Sequence, residues 1–291
     1  MLNQLHCKPN TVKYQVQLYK WYKILQPLYN AYVPNSFRNR RNAACSKLDD
    51  VTILCLLCWQ VCLKITVQTR YYQFLSQCIF SKNQLPERSR FNRICRNALK
   101  PLQWIREGLL RDNLPIPVYT IIDSIPMPLC LPVRNLSAKV LRGYADIGYN
   151  ATKKQHYYGL KGSFEVSSEG MVLAYELSAA SIHDLNMVEP LLKKYSCHTV
   201  LADQGYISRE LKENLAKKNI CFWTPLRKNM EGYEKENSPY LKRKRRYIEC
   251  VFSKLNSLFS IEEIRVRTLS GFISRLEQCL LVYTIQKLNF N

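Results

Sequence analysis

The sequence predicts an α/β fold: a mixed sheet flanked by helices, preceded by an all-α, basic N-terminal domain. Three observations carry this. From residue 117 onward, short apolar runs of strand length alternate with amphipathic segments. Before that, the segments read as mostly helical, among them a long apolar run with acids at its start. Basic residues dominate throughout, with 43 Lys and Arg against 22 Asp and Glu in 291 residues, a net charge of +21. Aromatic residues make up 11% of the chain, too many for a disordered basic tail, so the charge belongs to a folded protein. A folded chain this basic implies a polyanionic partner, nucleic acid first.

Residues 1–112 form the first predicted domain, helical, basic and DNA-binding. DDVTILCLLCWQVCLK opens on acids, where the helix dipole favours them, and continues as a long apolar run. TRYYQFLSQCIF predicts a second helix. In LPERSRFNR, Ser89 is a candidate cap for a third helix carrying Arg90, Arg93 and Arg96. The same charges also suit a solvated face of an ordinary helical domain. NTVKYQVQLYKWYKILQPLYNAY predicts a helix of uncertain register. DNLPIPV, with two prolines, reads as the linker.

Residues 113–291 form the second predicted domain. VYTIID is a strand that stops on Asp123, with Pro126 and Pro128 turning the chain away behind it. RGYADIGYNATKK reads as a basic loop. HYYGLKGSFEVSS and MVLAYELSA are strands joined at Glu169-Gly170, a hairpin signal. Ser181 is a candidate cap for a helix through HDLNMVEPLLKKY. HTVLAD is a strand ending on Asp203, SRELKENLAKKN an amphipathic helix, and ICFWTPL a further strand. RRYIECVFSKLNSL predicts a helix with Ile248, Phe252, Leu255 and Leu258 near one face. FISRLEQCLLVYTIQKL closes the chain as a last helix.

The twelve cysteines form no small-domain framework, and MLNQLHCKPN lacks the apolar core of a leader peptide. Reduced cysteines and a cytoplasmic location follow, with no membrane partner. Cys55, Cys58 and Cys62 begin like a metal knuckle, but their spacing follows one helical face and no second ligand pair accompanies them. They predict an apolar helix core.

Two strands thus end on acids, Asp123 and Asp203, and a third acid, Glu249, stands among Tyr247, Ile248, Cys250 and Val251. With the first strand central, the fourth beside it and the late helix packed across them, the three meet in one basin. Converging carboxylates repel one another unless a cation lies between them. A divalent ion with hard oxygen ligands, Mg²⁺ or Mn²⁺, supplies that charge, and two such ions can drive in-line attack on a phosphodiester. The surrounding cations then hold the nucleic acid. Taken singly, Asp123 and Asp203 suit turns or caps equally well, and Glu249 can pair with Arg245 four residues before it.

Several motifs in order resemble the DDE transposases of prokaryotic insertion elements, closest to the insertion sequence 982 family, over roughly residues 45 to 285. They are Ile122 to Cys130, Arg142-Gly143-Tyr144-Ala145, Lys153 to Lys161, Ser181-Ile182-His183-Asp184, Leu201 to Tyr206, and Arg245-Arg246-Tyr247-Ile248-Glu249, with Ser89 to Arg93 upstream. The resemblance implies a ribonuclease H-like catalytic domain with Asp123, Asp203 and Glu249 as catalytic, metal-binding triad. It implies cutting at the ends of an insertion element and joining to a target, on double-stranded DNA, by a homodimer that bridges two ends. It also implies a nucleoid-associated protein of a prokaryotic cytoplasm.

Arg245 matches the family's basic position and is expected on DNA phosphate, together with Lys242, Arg243, Lys244 and Arg246 of the KRKRR run. Lys153, Lys154, Arg90 and Arg93 are further DNA-binding candidates. Lys254 follows Glu249 by five residues, earlier than the lysine of related families. His183 and Asp184 are candidate supports for the metal ligands, and equally a capping turn. Tyr144, Tyr149, Tyr157 and Tyr158 suit either stacking on unpaired bases or half-buried strand positions. A catalytically silent DNA-binding descendant, and a nuclease of the same fold that cuts without joining, are the alternative functions. No setting for a covalent protein–DNA intermediate is visible.

Overall fold

The computed structural model describes residues 12–41, 43, 45–81, 83–151 and 153–290. The N-terminal segment read for a leader, with Cys7, lies outside the described residues. In chain order, six helices come first: α1 (Val12–Tyr32), α2 (Asn35–Arg38), α3 (Asp50–Cys62), α4 (Gln68–Phe74), α5 (Arg88–Asn97) and α6 (Leu99–Asn113). Six strands follow: β1 (Thr120–Pro128), β2 (Asp146–Asn150), β3 (Gln155–Ser167), β4 (Val172–Ala179), β5 (Thr199–Ala202) and β6 (Cys221–Trp223). Helix α7 (Val188–Lys194) joins β4 to β5, and α8 (Arg209–Ala216) joins β5 to β6. After β6 come α9 (Tyr233–Glu236), α10 (Pro239–Arg245), α11 (Tyr247–Phe259) and α12 (Leu269–Lys287).

The chain divides into two compact units, one of residues 1–113 with 258–291 and the other of residues 114–257. The sequence expectation has one boundary near residue 112 and places everything beyond it in the second unit. The structure instead returns α12 to the helical unit. The reason is burial: α12 is buried along Phe272–Ile285 save for Ile273, with its polar Arg275, Glu277 and Gln278 covered too, and a helix covered on every side needs neighbours on every side.

In the helical unit α3 is buried at every position from Val51 to Val61. Asp49 caps it, accepting the Thr52 N–H at 2.6 Å. Cys55 and Cys58 lie in this core as expected, whereas Cys62 is exposed. The cap of α5 is Glu87 rather than Ser89: its carboxylate accepts the N–H groups of Ser89 and Arg90 at 2.9 and 3.4 Å. A charged acceptor at that place also meets the positive end of the helix dipole. Arg106 of α6 and Glu277 of α12 form a buried bidentate pair, Nε to Oε2 at 2.7 Å and Nη2 to Oε1 at 3.2 Å.

The second unit is built on one sheet in the order β2-β3-β1-β5-β6, with β4 also paired to β3. β1 runs antiparallel to β3 and parallel to β5, and β5 parallel to β6. A mixed sheet with a central first strand, a hairpin on one side and parallel crossovers on the other is ribonuclease H-like. The segment 142–154, expected as loop, contains β2, paired antiparallel to the start of β3. One face of the sheet is sealed by α7 and α8 through Ile122, Val188, Leu191, Val200, Ala202, Leu215 and Phe222. On the other face Phe164 meets Phe252 of α11 edge-on, ring centroids 5.5 Å apart. Ile248, Val251, Phe252, Leu255 and Phe259 are buried along α11, while Leu258 is exposed, so the apolar face is one position narrower at its end than the periodicity suggests.

Gly170 at the β3–β4 turn has φ +83°. A Cβ there would lie 2.8 Å from the Tyr247 hydroxyl, so glycine is required both for the turn and for the approach of α11.

Breaking a buried ion pair strands a charge, whereas removing both partners does not. Arg106→Met or Glu277→Gln is therefore expected to cost roughly 3–5 kcal/mol in urea unfolding, and Arg106→Met with Glu277→Leu distinctly less. Equal losses for single and double variants would show that the pair itself does not set this stability.

Candidate active site

Asp123 lies within β1 and not at its end. The strand continues to Pro128, paired with β3 down to Gly159. What ends near Asp123 is the other partner: the pairing with β5 stops at Ile122 and Ala202. Leu129 N–H donates to the Tyr158 carbonyl at 3.0 Å, so by alternation the odd positions of β1 face β3. Pro126 and Pro128 therefore face the edge that β5 has left open, where a missing N–H costs nothing. Asp123 is the first residue of β1 beyond the pairing with β5, and Asp203 directly follows β5.

Glu249 sits in the first turn of α11, and Arg245 is the last residue of α10. The Arg245 guanidinium joins all three acids. Its Nη2 lies 2.7 Å from Asp123 Oδ2 and 3.4 Å from Asp203 Oδ2, and its Nη1 lies 2.7 Å from Glu249 Oε1. Asp123 and Arg245 are 16% and 12% exposed, while Asp203 and Glu249 are 47% and 59% exposed, so the basin has a closed floor and an open rim.

A second layer lies behind Asp123. The Ser124 N–H donates to Asp123 Oδ1 at 2.8 Å, and the Ser124 hydroxyl donates to Asp184 Oδ1 at 2.9 Å. Lys161 of β3 pairs with the same Asp184 oxygen at 3.0 Å and donates to the Ile182 carbonyl at 2.8 Å. Burial pushes the Asp123 carboxyl up to about 6; Arg245 and the Ser124 N–H oppose this, and Asp203 and Asp184 add to it. Tyr206, buried after Asp203, has its hydroxyl pushed well up by burial and by Asp123 and Asp184. That is the reverse of an activated nucleophile.

The remaining expected site residues fall in several places. His183 caps the turn before α7, its Nδ1 accepting the Leu185 N–H at 3.3 Å, in place of the expected Ser181. Asp184 is held by Ser124 and Lys161. In α10, Lys242 lies over the Tyr233 ring, Arg243 over Tyr240, and Lys244 over both Tyr119 and Tyr240, at 5.2 to 6.0 Å from the centroids. Arg246 is exposed at the end of that helix. Lys153 and Lys154 are exposed at the tip between β2 and β3. Tyr157 and Tyr158 are buried, leaving Tyr144 and Tyr149 exposed, the latter 5.0 Å from the His156 ring. Arg90 and Arg93 are exposed on α5 in the helical unit, where Arg90 lines a cavity of about 160 Å³ with Arg40, Asp50 and Asn97.

Ser124, Lys161 and Tyr206 have no role in the sequence expectation. All three lie inside the motifs quoted for the resemblance, Ser124 in Ile122 to Cys130, Lys161 at the end of Lys153 to Lys161 and Tyr206 at the end of Leu201 to Tyr206, which is the signal that could have found them. Among the described residues, no three His, Cys, Asp or Glu side chains are grouped closely enough to hold an ion together as they stand. The three acids nevertheless fit a cation: a guanidinium already occupies their shared centre, standing in for positive charge at hard oxygen donors.

A ribonuclease H-like sheet with acids at the end of its parallel pair and on the helix packed beside it defines the DDE class of nucleic-acid enzymes. A family model described as "Transposase DDE domain" matches residues 117–269, and the chain belongs to that family. A cryo-EM structure of a piggyBac transposase synaptic complex with hairpin DNA is 12% identical with a TM-score of 0.46, covering 93% of this chain and 72% of that one, a likeness too slight to support an inference. No curated protein matches the chain.

A carboxyl whose folded value is raised loses stability as it ionises: nothing below its unfolded value near 4, the full amount above about 6. In EDTA, the stability of wild type relative to Asp123→Asn is therefore expected to fall by roughly 3 kcal/mol between pH 4 and pH 7. Urea unfolding at several pH values reads this; a difference independent of pH would refute the burial of Asp123.

Proposed function

We propose that this DDE transposase carries out divalent-metal-dependent cleavage and strand transfer at the ends of an insertion element. The observation that carries the reading is the meeting of Asp123, Asp203 and Glu249 on one cation. These three residues would hold Mg²⁺ or Mn²⁺, two ions in the full site. When bound, the metal supplies activation of the attacking oxygen and stabilisation of the leaving one.

The chain's other residues bind and position. Lys161 and Ser124 hold Asp184 beside Asp123, which makes Asp184 a supporting residue; His183 acts only through the turn it caps. Lys242, Arg243, Lys244 and Arg246 supply phosphate contacts, their aromatic neighbours pinning otherwise flexible side chains. Lys153, Lys154, Arg90 and Arg93 add to the same electrostatic hold on double-stranded DNA. In this reading the helical unit, residues 1–113 with 258–291, binds DNA and the sheet unit, residues 114–257, is catalytic. A homodimer follows from the need for two DNA ends. A place in the insertion sequence 982 family, and a nucleoid-associated life in a prokaryotic cytoplasm, rest on the motifs quoted above. Among the described residues no helix is long and apolar enough to cross a membrane.

Neither alternative gains from the site. A silent descendant has no need to keep three acids on one cation, and nothing in the basin separates cutting from joining. With DNA bearing the terminal sequences that flank its own gene, Asp123→Asn, Asp203→Asn and Glu249→Gln are each expected to lose about 10³-fold or more in Mg²⁺-dependent cleavage and joining. Salt-sensitive DNA binding should survive in all three. Substituted proteins that cut as well as wild type would remove the triad assignment.

A further inference from the structure

Arg245 is placed unlike its neighbours. Lys242, Arg243 and Lys244 turn toward aromatic rings, while Arg245 alone of this run turns into the acid basin. There it meets three carboxylates with one charge, leaving two negative charges uncompensated, since the nearby Asp184 is already offset by Lys161. Its own hydrogen bonding is incomplete: Nε is buried and finds no acceptor among the described residues. Two of its three acids are about half exposed, and ion pairs with such groups hold weakly. Only the contact to Asp123 is well covered. The guanidinium is thus held at the centre of the acids by a set that one positive charge does not satisfy and that does not fully satisfy it.

We propose that Arg245 is an internal counter-ion, holding the three acids together before metal arrives and displaced when it does, so that metal and guanidinium exclude one another. In place of the guanidinium, the same carboxylate oxygens of Asp123, Asp203 and Glu249 would hold a divalent ion, which offsets two of their three charges where Arg245 offsets one. Arg245 is the last residue of α10, next to the exposed Arg246 of the basic run. Released there, beside the basic run, it becomes a donor for DNA phosphate with its fork free for two parallel hydrogen bonds. The contact expected of this residue and the contact observed are then two states of one side chain. This rests on the metal-triad reading of the preceding subsection.

The test is Mn²⁺ binding without DNA, read from the free-ion electron paramagnetic resonance signal, for wild type, Arg245→Gln, Lys254→Gln and Asp123→Asn. Arg245→Gln is expected to bind Mn²⁺ about tenfold more tightly than wild type, because no guanidinium has to be displaced. Lys254→Gln, which removes an exposed like charge from α11, should stay within about twofold. Thermal unfolding gives a readout independent of the isotherm. Arg245→Gln should melt below wild type in EDTA, where three acids face one another without a cation, and should show the larger upward shift on adding Mn²⁺. If Arg245→Gln binds Mn²⁺ as wild type does, or more weakly, while Asp123→Asn loses binding, the displacement proposal falls and the metal triad stands. If Lys254→Gln gains as much as Arg245→Gln, the effect is general charge and displacement is again refuted. If Asp123→Asn binds as wild type, the triad reading fails and the proposal with it.

Discussion

Three carboxylates can share a basin only while a cation stands between them, and in this structure that cation is one guanidinium. Much of the second unit serves to bring the parts together. β1 and β5 run parallel and stop pairing at Ile122 and Ala202, so the next residue on each strand is free to turn its side chain into the gap. The β3–β4 turn at Gly170 lets Tyr247 come close, which sets the start of α11 and with it Glu249. Across the break between α10 and α11 at Arg246, Arg245 still donates to Glu249 four residues on. A single shift in any of these would separate the acids from their counter-charge.

The site is electrostatically graded. Asp123 is the covered member, strained toward its protonated form by burial and by Asp184 and Asp203, and relieved by Arg245 and a backbone N–H. Asp203 and Glu249 face the open rim, where solvent does part of the work. Such a gradient suits the metal-holding role proposed for these acids, with a covered floor and a rim open to a large, charged substrate. The basic side chains around it are restrained by aromatic rings, which keeps cationic heads near the rim without letting them fall into the basin. Arg245 is the exception: its guanidinium reaches all three acids.

The helical unit obeys a different constraint. α3 is apolar nearly all round and α12 is buried nearly all round, so each must be surrounded, and a buried ion pair joins α6 to α12. That need for neighbours explains why the chain's last helix leaves the sheet unit. A segment's place in the sequence does not reveal which core it fills; its burial does.

Local chemistry was legible without the fold. Apolar runs and the Glu169-Gly170 turn marked β3, β4, β5 and β6; acids at its start marked α3, and amphipathic spacing marked α8; and the order of Asp123, Asp203 and Glu249, each in an apolar setting, pointed to the basin where they meet. Other features depended on distant partners. Asp123 lies inside its strand because β3 runs on beside it when β5 does not, a difference written forty and eighty residues away. β2 exists because the start of β3 offers it an edge. Glu87 and His183 displaced serines as caps through backbone geometry that composition does not specify. Ser124, Lys161 and Tyr206 join the site only through contacts between elements. Arg245 was visible as a cation beside an acid on one helix; that it gathers all three acids is a fact of tertiary structure, since only folding brings β1, β5 and α11 within reach of one side chain.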